Sequence, residues 1–220
     1  MLTSTQLNTM LNLQDGMNKK VNPQWLTAGY SYLRAAMIES VEAIEHHGWK
    51  WWKAQKLDLP QVQMELVDIW HFALSHIIIQ HDGNINSASN AIANALLESH
   101  TEVTFDGNKI NFSEATLVEN LELMAGLCVA KRFDVPLFLK IVEQAEMDAN
   151  ALFSQYVGKN ILNFFRQDHG YKEGTYIKEW HGKEDNEHLV DVLAETDSNV
   201  NDYADAIYQQ LKNRYPSQGR

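Results

Sequence analysis

Two pairs of acidic residues, each pair three positions apart, are the residues of this chain best suited to chemistry. Glu39 and Glu42 form the first pair, and Glu65 and Asp68 form the second. Residues three apart on a helix share one face, with Cβ atoms roughly 5–6 Å apart, so each pair can direct two carboxylates at one point. Two antiparallel helices would bring four carboxylates together. Mg²⁺ prefers such oxygen ligands and commonly binds substrate phosphates as well, so the pattern indicates a magnesium site for phosphate chemistry.

A solvated helix face is the alternative interpretation of these pairs, because exposed Glu is common on amphipathic helices. Neither pair has a Lys or Arg four positions later, although solvated faces often supply one. The neighbours Ala35, Ile38 and Phe72 also indicate half-buried carboxylates, which need a cation. On these grounds alone, both interpretations stay open.

A tryptophan-rich segment, Trp49 to Lys53, follows the first acidic pair. Packing of a helix corner is the simpler explanation for these aromatic residues. An indole such as Trp52 can also stack on a nucleobase, which contributes about 1–3 kcal/mol per base. In that case Lys50 and Lys53 would face phosphates.

Lys159, Asn163 and Arg166 form a polar stripe along a later predicted helix. Cations near a helix carboxyl end complement its dipole, which is the simpler explanation. The alternative is a phosphate clamp, with Lys as a point charge and Arg as a bidentate donor. Tyr171 and Lys178, on the glycine-containing segment that follows, would add donors able to close over a polyphosphate.

His71 lies three positions after Asp68, but a lone histidine on a helix is more often a hydrogen-bonded core or surface residue than a ligand. The pattern is also close to the Glu-x-x-His motif of di-iron bundles. That motif occurs nowhere in this chain, which disfavours a metal-carboxylate oxidoreductase.

The elements that would position these residues are helices, since helical periodicity dominates and the chain has four prolines. The predicted fold class is all-α: a helical bundle whose four-helix core carries the acidic pairs, with little or no β structure. The predicted helices are a first one capped by Thr3 or Ser4 and ended by Asn22-Pro23, and others over roughly 24–47, 60–81, 85–97, 113–132 (capped by Ser113), from Pro136, 152–166, 185–195 and 201–213.

The sequence also predicts the buried face of the second helix and the structure of two segments without clear helical periodicity. Val41 is predicted to share the buried stripe of the second helix with Leu33, Met37 and Ile44. Residues 101–112 form either a short hairpin or an irregular loop. Residues 167–185 are expected to be a mobile loop or lid.

Length and composition limit the number of domains and the classes of binding partner. The 220 residues, 45% of them hydrophobic, suit a single domain over 1–220, with a variable helical segment at 84–135 and short helices at 186–220. A net charge of −11 argues against binding to nucleic acid or anionic membranes. The single cysteine, Cys128, and the lack of a long apolar run or signal-type segment predict a soluble cytoplasmic protein.

The chain resembles the dimeric all-α dUTPases of the all-α nucleoside triphosphate pyrophosphatase superfamily over nearly its whole length. The acidic helix pair is shared by the wider superfamily, whereas the carboxyl-terminal blocks are specific to the dimeric dUTPases. Few residues of 84–135 match. The blocks that carry the likeness are Leu13-Gln14 with Asn18, Glu39-Ser-Val-Glu42, Trp49-Lys-Trp-Trp-Lys53, Glu65 to Phe72, Gly158 to Gln167, Gly170 to Lys178 and Trp180 to Asn186.

The resemblance implies a role for each group of residues. Glu39, Glu42, Glu65 and Asp68 would hold Mg²⁺, and Glu42 would orient or deprotonate a water that attacks the α-phosphorus of dUTP to release dUMP and pyrophosphate. The implied substrate residues are Gln14, Asn18, Trp52, His71 and Phe72 for deoxyuridine, and Lys159, Asn163, Arg166, Tyr171 and Lys178 for the phosphates.

The resemblance also implies a homodimer whose pockets are completed between subunits, and an activity that keeps uracil out of DNA while supplying dUMP for thymidylate synthesis. Use of dUDP stays open. The remaining alternatives are a related pyrophosphatase acting on dCTP or non-standard nucleotides, and a non-catalytic helical interaction protein.

Overall fold

The computed structural model describes residues 2–98, 100–196 and 202–216, and over these residues the chain is mostly helical. The all-α prediction is therefore confirmed. The helices are α1 (Ser4–Val21), α2 (Tyr32–His47), α3 (Leu59–Gln80), α4 (Ile85–Glu98), α5 (Leu117–Val129), α6 (Val135–Gln144), α7 (Ala149–Asp168), α8 (Asp185–Glu195) and α9 (Tyr203–Arg214). Two antiparallel hairpins pair β1 (Glu102–Phe105) with β2 (Asn108–Asn111) and β3 (Glu179–Trp180) with β4 (Lys183–Glu184).

Local capping explains where several helices begin. Thr3 caps α1 through a reciprocal capping box with Gln6. The cap of α5 is Thr116 rather than the predicted Ser113, because Ser113 donates its hydroxyl to Asn111 at the end of the first hairpin. That hairpin occupies residues 102–111, which decides between the two alternatives for the 101–112 segment.

Helix α2 begins at Tyr32 and not near residue 24 as predicted. Residues Trp25–Thr27 form a separate 3-10 turn, and Gly29 then adopts a positive φ of 72°, which a continuous helix does not allow. The shift places Tyr30 and Tyr32 at the start of the helix that carries Glu39 and Glu42.

The centre of the fold is α3, which packs against α1, α2 and α7. By length and composition α3 could cross a membrane, but 67% of its apolar stretch is buried inside the protein, as in a core helix. Its apolar stripe was predicted correctly, since all five side chains are buried: Val62, Leu66, Ile69, Ala73 and Ile77.

The buried face of α2 is narrower than predicted, and Val41 is not part of it. Leu33, Ala36, Ser40 and Ala43 are buried, whereas Val41 is 46% exposed. A helix turns by about 100° per residue, so burying Ala36, Ser40 and Ala43 turns Val41 away from the core. The small side chains let α2 approach α3 and α5 closely.

A second hydrophobic cluster joins the end of α7 to α8 and α9, with Phe165 and Trp180 fully buried in it. Trp180 reaches this cluster because the β3–β4 hairpin, which was not predicted, folds its segment back onto α7. The second half of the 167–185 segment is thus anchored by a buried indole. Closure of the segment as a lid stays a prediction.

Candidate active site

The two acidic pairs do converge. Helices α2 and α3 place carboxylate oxygens of Glu39, Glu42 and Glu65 within 4.8 Å of one another, and we call these three residues the acidic cluster. Glu65 is buried, Glu39 is half-buried and Glu42 is exposed. Three carboxylates this close repel one another unless a cation or a proton lies between them. The arrangement is therefore suited to a divalent metal ion.

The electrostatics of the acidic cluster support this fit. Burial, together with the charges of Asp68, Glu65 and Glu42, raises the pKa of Glu39 to about 8. Burial and the charge of Asp68 likewise raise the pKa of Glu65 to about 7. Both groups therefore hold protons far more readily than ordinary carboxyls, and a bound cation would remove the reason for doing so.

Asp68, the fourth predicted metal ligand, is paired with a predicted phosphate ligand. The Nζ of Lys159 lies 3.0 Å from Oδ2 of Asp68, and the Lys159 side chain is only 8% exposed. Helix α7 thus directs a buried lysine at the carboxylates of α3. The two residues would have to share their charges with a metal ion and a phosphate that enter between them.

A cavity of about 490 Å³ adjoins Asp68 between α1, α3 and α7, and we call it the central cavity. Its volume lies within the range of roughly 300–1,000 Å³ that is usual for small-molecule sites. Six of the predicted site residues line it: Gln14, Asn18, Asp68, His71, Phe72 and Asn163.

Buried hydrogen bonds fix the polar groups of the central cavity. Oε1 of Gln14 accepts from the Tyr156 hydroxyl at 2.7 Å and lies 2.8 Å from Nδ1 of His71. Gln14 and Asn18 both donate to Oγ of Ser75 at 2.9 Å. Because each amide is committed to partners on another helix, its orientation is set before any ligand binds.

His71 is neutral and donates to this network through Nδ1. Its ring stacks on Tyr156 at 4.1 Å between centroids, and burial lowers the pKa of His71 to about 4. With Nδ1 donating to Gln14, the lone pair belongs to Nε2, which is buried and has no hydrogen-bond partner among the described residues. A ligand hydroxyl or N–H can satisfy it.

Several cavity residues were missed by the sequence reasoning. Tyr30, just before α2, and Tyr32, its first residue, line the central cavity, and Met17 and Val21 line it from α1. The Tyr30-Ser-Tyr32 pattern, two aromatic residues at the start of the acidic helix, was a usable signal. Burial raises the pKa of Tyr32 to about 12, so its hydroxyl remains protonated.

Trp52 is not brought into the central cavity. It is 57% exposed and packs edge-to-face on Trp49 and Trp51, with centroid distances of 5.2 and 4.5 Å. Trp49 in turn donates its indole N–H to Glu45 at 2.6 Å. The three tryptophans therefore form a surface corner after α2, separate from the residues that line the cavity.

The predicted phosphate residues fall into four positions along α7 and the segment after it. Lys159 pairs with Asp68, and Asn163 lines the central cavity. Arg166 lies beside Tyr171, 5.9 Å from its ring centroid. Lys178 is on the surface, where it pairs with Glu184 at 3.1 Å.

Comparison with protein-family models matches residues 6–171 of the chain to the family described as dUTPase. The matched range contains the acidic cluster, the central cavity and the polar stripe of α7, and it ends before the β3–β4 hairpin. No curated protein matches the chain.

Proposed function

The chain belongs to the dUTPase family, which makes it a dUTP diphosphatase, and we propose that it uses Mg²⁺ to hydrolyse dUTP to dUMP and pyrophosphate. One observation carries the mechanistic part of this proposal: Asp68 lines the same cavity as Gln14, Asn18 and His71. A nucleoside held by the cavity amides would therefore present its phosphates to the acidic residues.

The polar groups of the central cavity suit deoxyuridine. The uracil edge carries two carbonyl acceptors around one N–H donor. Asn18 keeps one amide N–H and one acceptor site for it, while the Gln14 amide is fully used in holding Asn18, His71 and Tyr156. Cytosine has an amino donor in place of one carbonyl and an acceptor nitrogen in place of the ring N–H. It would leave buried groups unpaired, and such mismatches are strongly rejected. The free Nε2 of His71 would accept a hydrogen bond from the sugar hydroxyl.

Glu39, Glu42, Glu65 and Asp68 would hold Mg²⁺, which when bound neutralises phosphate charge and makes water more acidic. Glu42 is the exposed member of the acidic cluster, which supports the proposal that it orients the attacking water and accepts its proton. The water oxygen bonds to the α-phosphorus as the bond to the bridging oxygen breaks, and pyrophosphate leaves.

Lys159, Asn163 and Arg166 would bind the phosphates along α7, with Tyr171 and Lys178 adding donors from the following segment. Phosphoryl transfer depends mainly on positioning and charge neutralisation, which is what this row of donors can supply. Closure of the 167–185 segment over the phosphates predicts that a non-hydrolysable dUTP analogue protects it from protease. Equal cleavage with and without the analogue would count against closure.

We also propose that the protein is a homodimer and acts in the cytoplasm, removing dUTP so that uracil stays out of DNA. Ile38 and Val41 support an interface, because they are 45% and 46% exposed on the helix that carries Glu42. Light scattering of the wild type and of Val41→Asp tests this: the wild type should have twice the mass of the chain and the variant should lose affinity for itself.

The deciding assay is pyrophosphate release from dUTP, dCTP, dTTP and UTP, with and without Mg²⁺. We expect dUTP to be preferred and Glu42→Gln to lower turnover at least about 10³-fold. Glu45→Gln is the matched control, since Glu45 lies on the same helix but bonds to Trp49 and Lys50 instead. Preference for another nucleotide, or near-normal turnover of Glu42→Gln, would contradict the proposal.

A further inference from the structure

Arg166 is held by a carboxylate that the sequence reasoning did not single out. Its Nε donates to Oδ2 of Asp185 at 2.8 Å and its NH2 group donates to Oδ1 at 3.0 Å. The Asp185 side chain is fully buried, and the Arg166 side chain is 13% exposed. The pair is thus a bidentate ion pair away from solvent, the geometry that best fixes a guanidinium plane.

Asp185 is itself fixed from two sides. The Tyr176 hydroxyl donates to Oδ2 at 2.9 Å, and the backbone N–H of Asp185 donates to the Lys178 carbonyl at 2.9 Å. Between these contacts the β3–β4 hairpin is anchored by buried Trp180, whose indole N–H donates to the Ile177 carbonyl at 2.6 Å. The carboxylate therefore has little freedom to follow a moving arginine.

The ion pair determines which edge of Arg166 remains for a ligand. Nε and NH2 are committed to Asp185 and to Asn186, while NH1 donates to Oδ1 of Asn163 at 3.2 Å. Asn163 lines the central cavity, so NH1 is the part of Arg166 that is bonded to a residue of the cavity wall. A second N–H on NH1 has no acceptor among the described residues and is available to a ligand oxygen.

We propose that Asp185 is a positioning residue for phosphate binding: it holds Arg166 so that the NH1 edge meets the pyrophosphate part of the substrate. The inference rests on the proposed function and deepens it, and Asp185 lies outside the matched residues 6–171. Asp185 lowers the net positive charge near the phosphates, so its contribution is orientation rather than attraction.

A purely structural role for Asp185 makes a different prediction. If the ion pair only holds α8 to α7, removing it should weaken all ligands alike. If Asp185 acts through Arg166, its loss should weaken pyrophosphate and dUTP and leave deoxyuridine, which has no phosphate, unaffected. The effect should also disappear when the guanidinium is absent.

The experiment compares Asp185→Asn, Arg166→Lys and the double variant, with Asp191→Asn as a matched control on α8. Asp191 is surface-exposed and pairs with Lys183 and Arg214. Titration calorimetry measures pyrophosphate binding in the presence of Mg²⁺, and competition against dUTP hydrolysis measures deoxyuridine. Circular dichroism establishes that each variant is folded.

We expect Asp185→Asn to weaken pyrophosphate binding by about ten-fold and to change deoxyuridine inhibition by less than about two-fold. In the Arg166→Lys background the same substitution should change pyrophosphate binding by less than about two-fold. Asp191→Asn should bind both ligands like the wild type.

Tyr176→Phe decides the matter if Asp185→Asn does not fold, because it removes one hydrogen bond to Asp185 and keeps the ion pair. It should weaken pyrophosphate binding about two- to three-fold. Unchanged pyrophosphate binding in the variants, equal loss for deoxyuridine, or an undiminished effect in the Arg166→Lys background would overturn the inference. A wild type that binds pyrophosphate but does not hydrolyse dUTP would instead contradict the proposed function.

Discussion

The two ends of the candidate site treat charge in opposite ways. In the acidic cluster, carboxylates of Glu39, Glu42 and Glu65 face one another, and no lysine or arginine among the described residues pairs with them. Glu65 lies 3.5 Å from the His46 ring, and burial raises the pKa values of Glu39 and Glu65. At the proposed phosphate end, Arg166 and Lys159 are each paired with a carboxylate. One end has excess charge that a metal ion must relieve, and the other has its charges already satisfied.

This difference in charge determines how much a bound ligand can stabilise each end of the site. At the acidic end, a cation removes a repulsion that the folded chain already carries, so binding stabilises the fold. At the phosphate end, a ligand must compete with Asp68 for Lys159, while Arg166 has only its NH1 edge to offer. The same operation, neutralising one charge, should therefore have opposite effects on stability at the two ends.

The largest expected effect is that of Glu65→Gln on catalysis and stability. Turnover should fall at least about 10³-fold, equivalent to about 4 kcal/mol, because a predicted metal ligand is lost. The metal-free protein should nevertheless become more stable by about 1–2 kcal/mol, because one of the repelling carboxylates is removed. Turnover assays and urea unfolding in a chelator check both parts. A variant less stable than the wild type would break the comparison.

The opposite sign is expected for Lys159→Met. The substitution keeps the length of the side chain but leaves the half-buried Asp68 without its partner, next to carboxylates that already repel it. Metal-free stability should fall by about 2–3 kcal/mol, which is less than for a fully buried pair because Asp68 is partly exposed. Lys140→Met, which removes an exposed pair with Glu143, is the control and should change stability by less than about 1 kcal/mol. Equal effects of the two substitutions would show that the Lys159 pair is no different from a surface pair.

The pH dependence of metal-free stability sharpens the same comparison. The pKa of Glu39 is raised from 4.5 to about 8 and that of Glu65 to about 7. Between pH 4.5 and these raised values, the folded chain binds more protons than the unfolded chain. The stability contributed by the two protonated carboxyls is therefore fully present below about pH 4.5 and is lost as pH rises through the folded pKa values.

Urea unfolding at pH 6 and at pH 8 measures this effect. Without metal the protein should be about 1–2 kcal/mol less stable at the higher pH, and saturating Mg²⁺ should stabilise it more there than at the lower pH. Glu39→Gln combined with Glu65→Gln should flatten the dependence. Stability that rises with pH in the chelator would contradict the assignment.

The acidic pairs could be predicted from the sequence because their geometry is local: a spacing of three on a helix fixes the relative direction of two side chains. The convergence of Glu39 with Glu65 needed only one antiparallel packing of α2 on α3. The buried stripe of α3 was also predicted from local spacing. Most sides of this helix are buried, so a small error in the assumed rotation about the helix axis does not change which side chains are predicted to be buried.

The missed features depend on packing between distant segments. Val41 was assigned to the core because it continues the apolar spacing of α2. The buried face of this helix is instead formed by the small side chains of Ala36, Ser40 and Ala43. Asp185 and Trp180 join α7 only through the β3–β4 hairpin, which is two residues long on each strand and leaves no periodic signal. The Tyr156 ring stacks on His71 although 85 positions separate the two residues in the chain.

The smallest expected effect is that of Trp52, which lies on the surface and contacts neither the acidic cluster nor the proposed phosphate residues. If this indole stacks on uracil, it must move from its place against Trp49 and Trp51 towards the central cavity when substrate binds. Trp52→Ala should then raise KM for dUTP by about five- to ten-fold with little change in kcat, since stacking contributes about 1–3 kcal/mol to binding. Leu97→Ala is the control, because Leu97 is an apolar side chain on α4 that is 77% exposed and should leave KM unchanged. Equal KM values for the two variants would assign Trp52 to the surface corner alone, and base recognition would then rest on the buried amide of Asn18, which Gln14 holds.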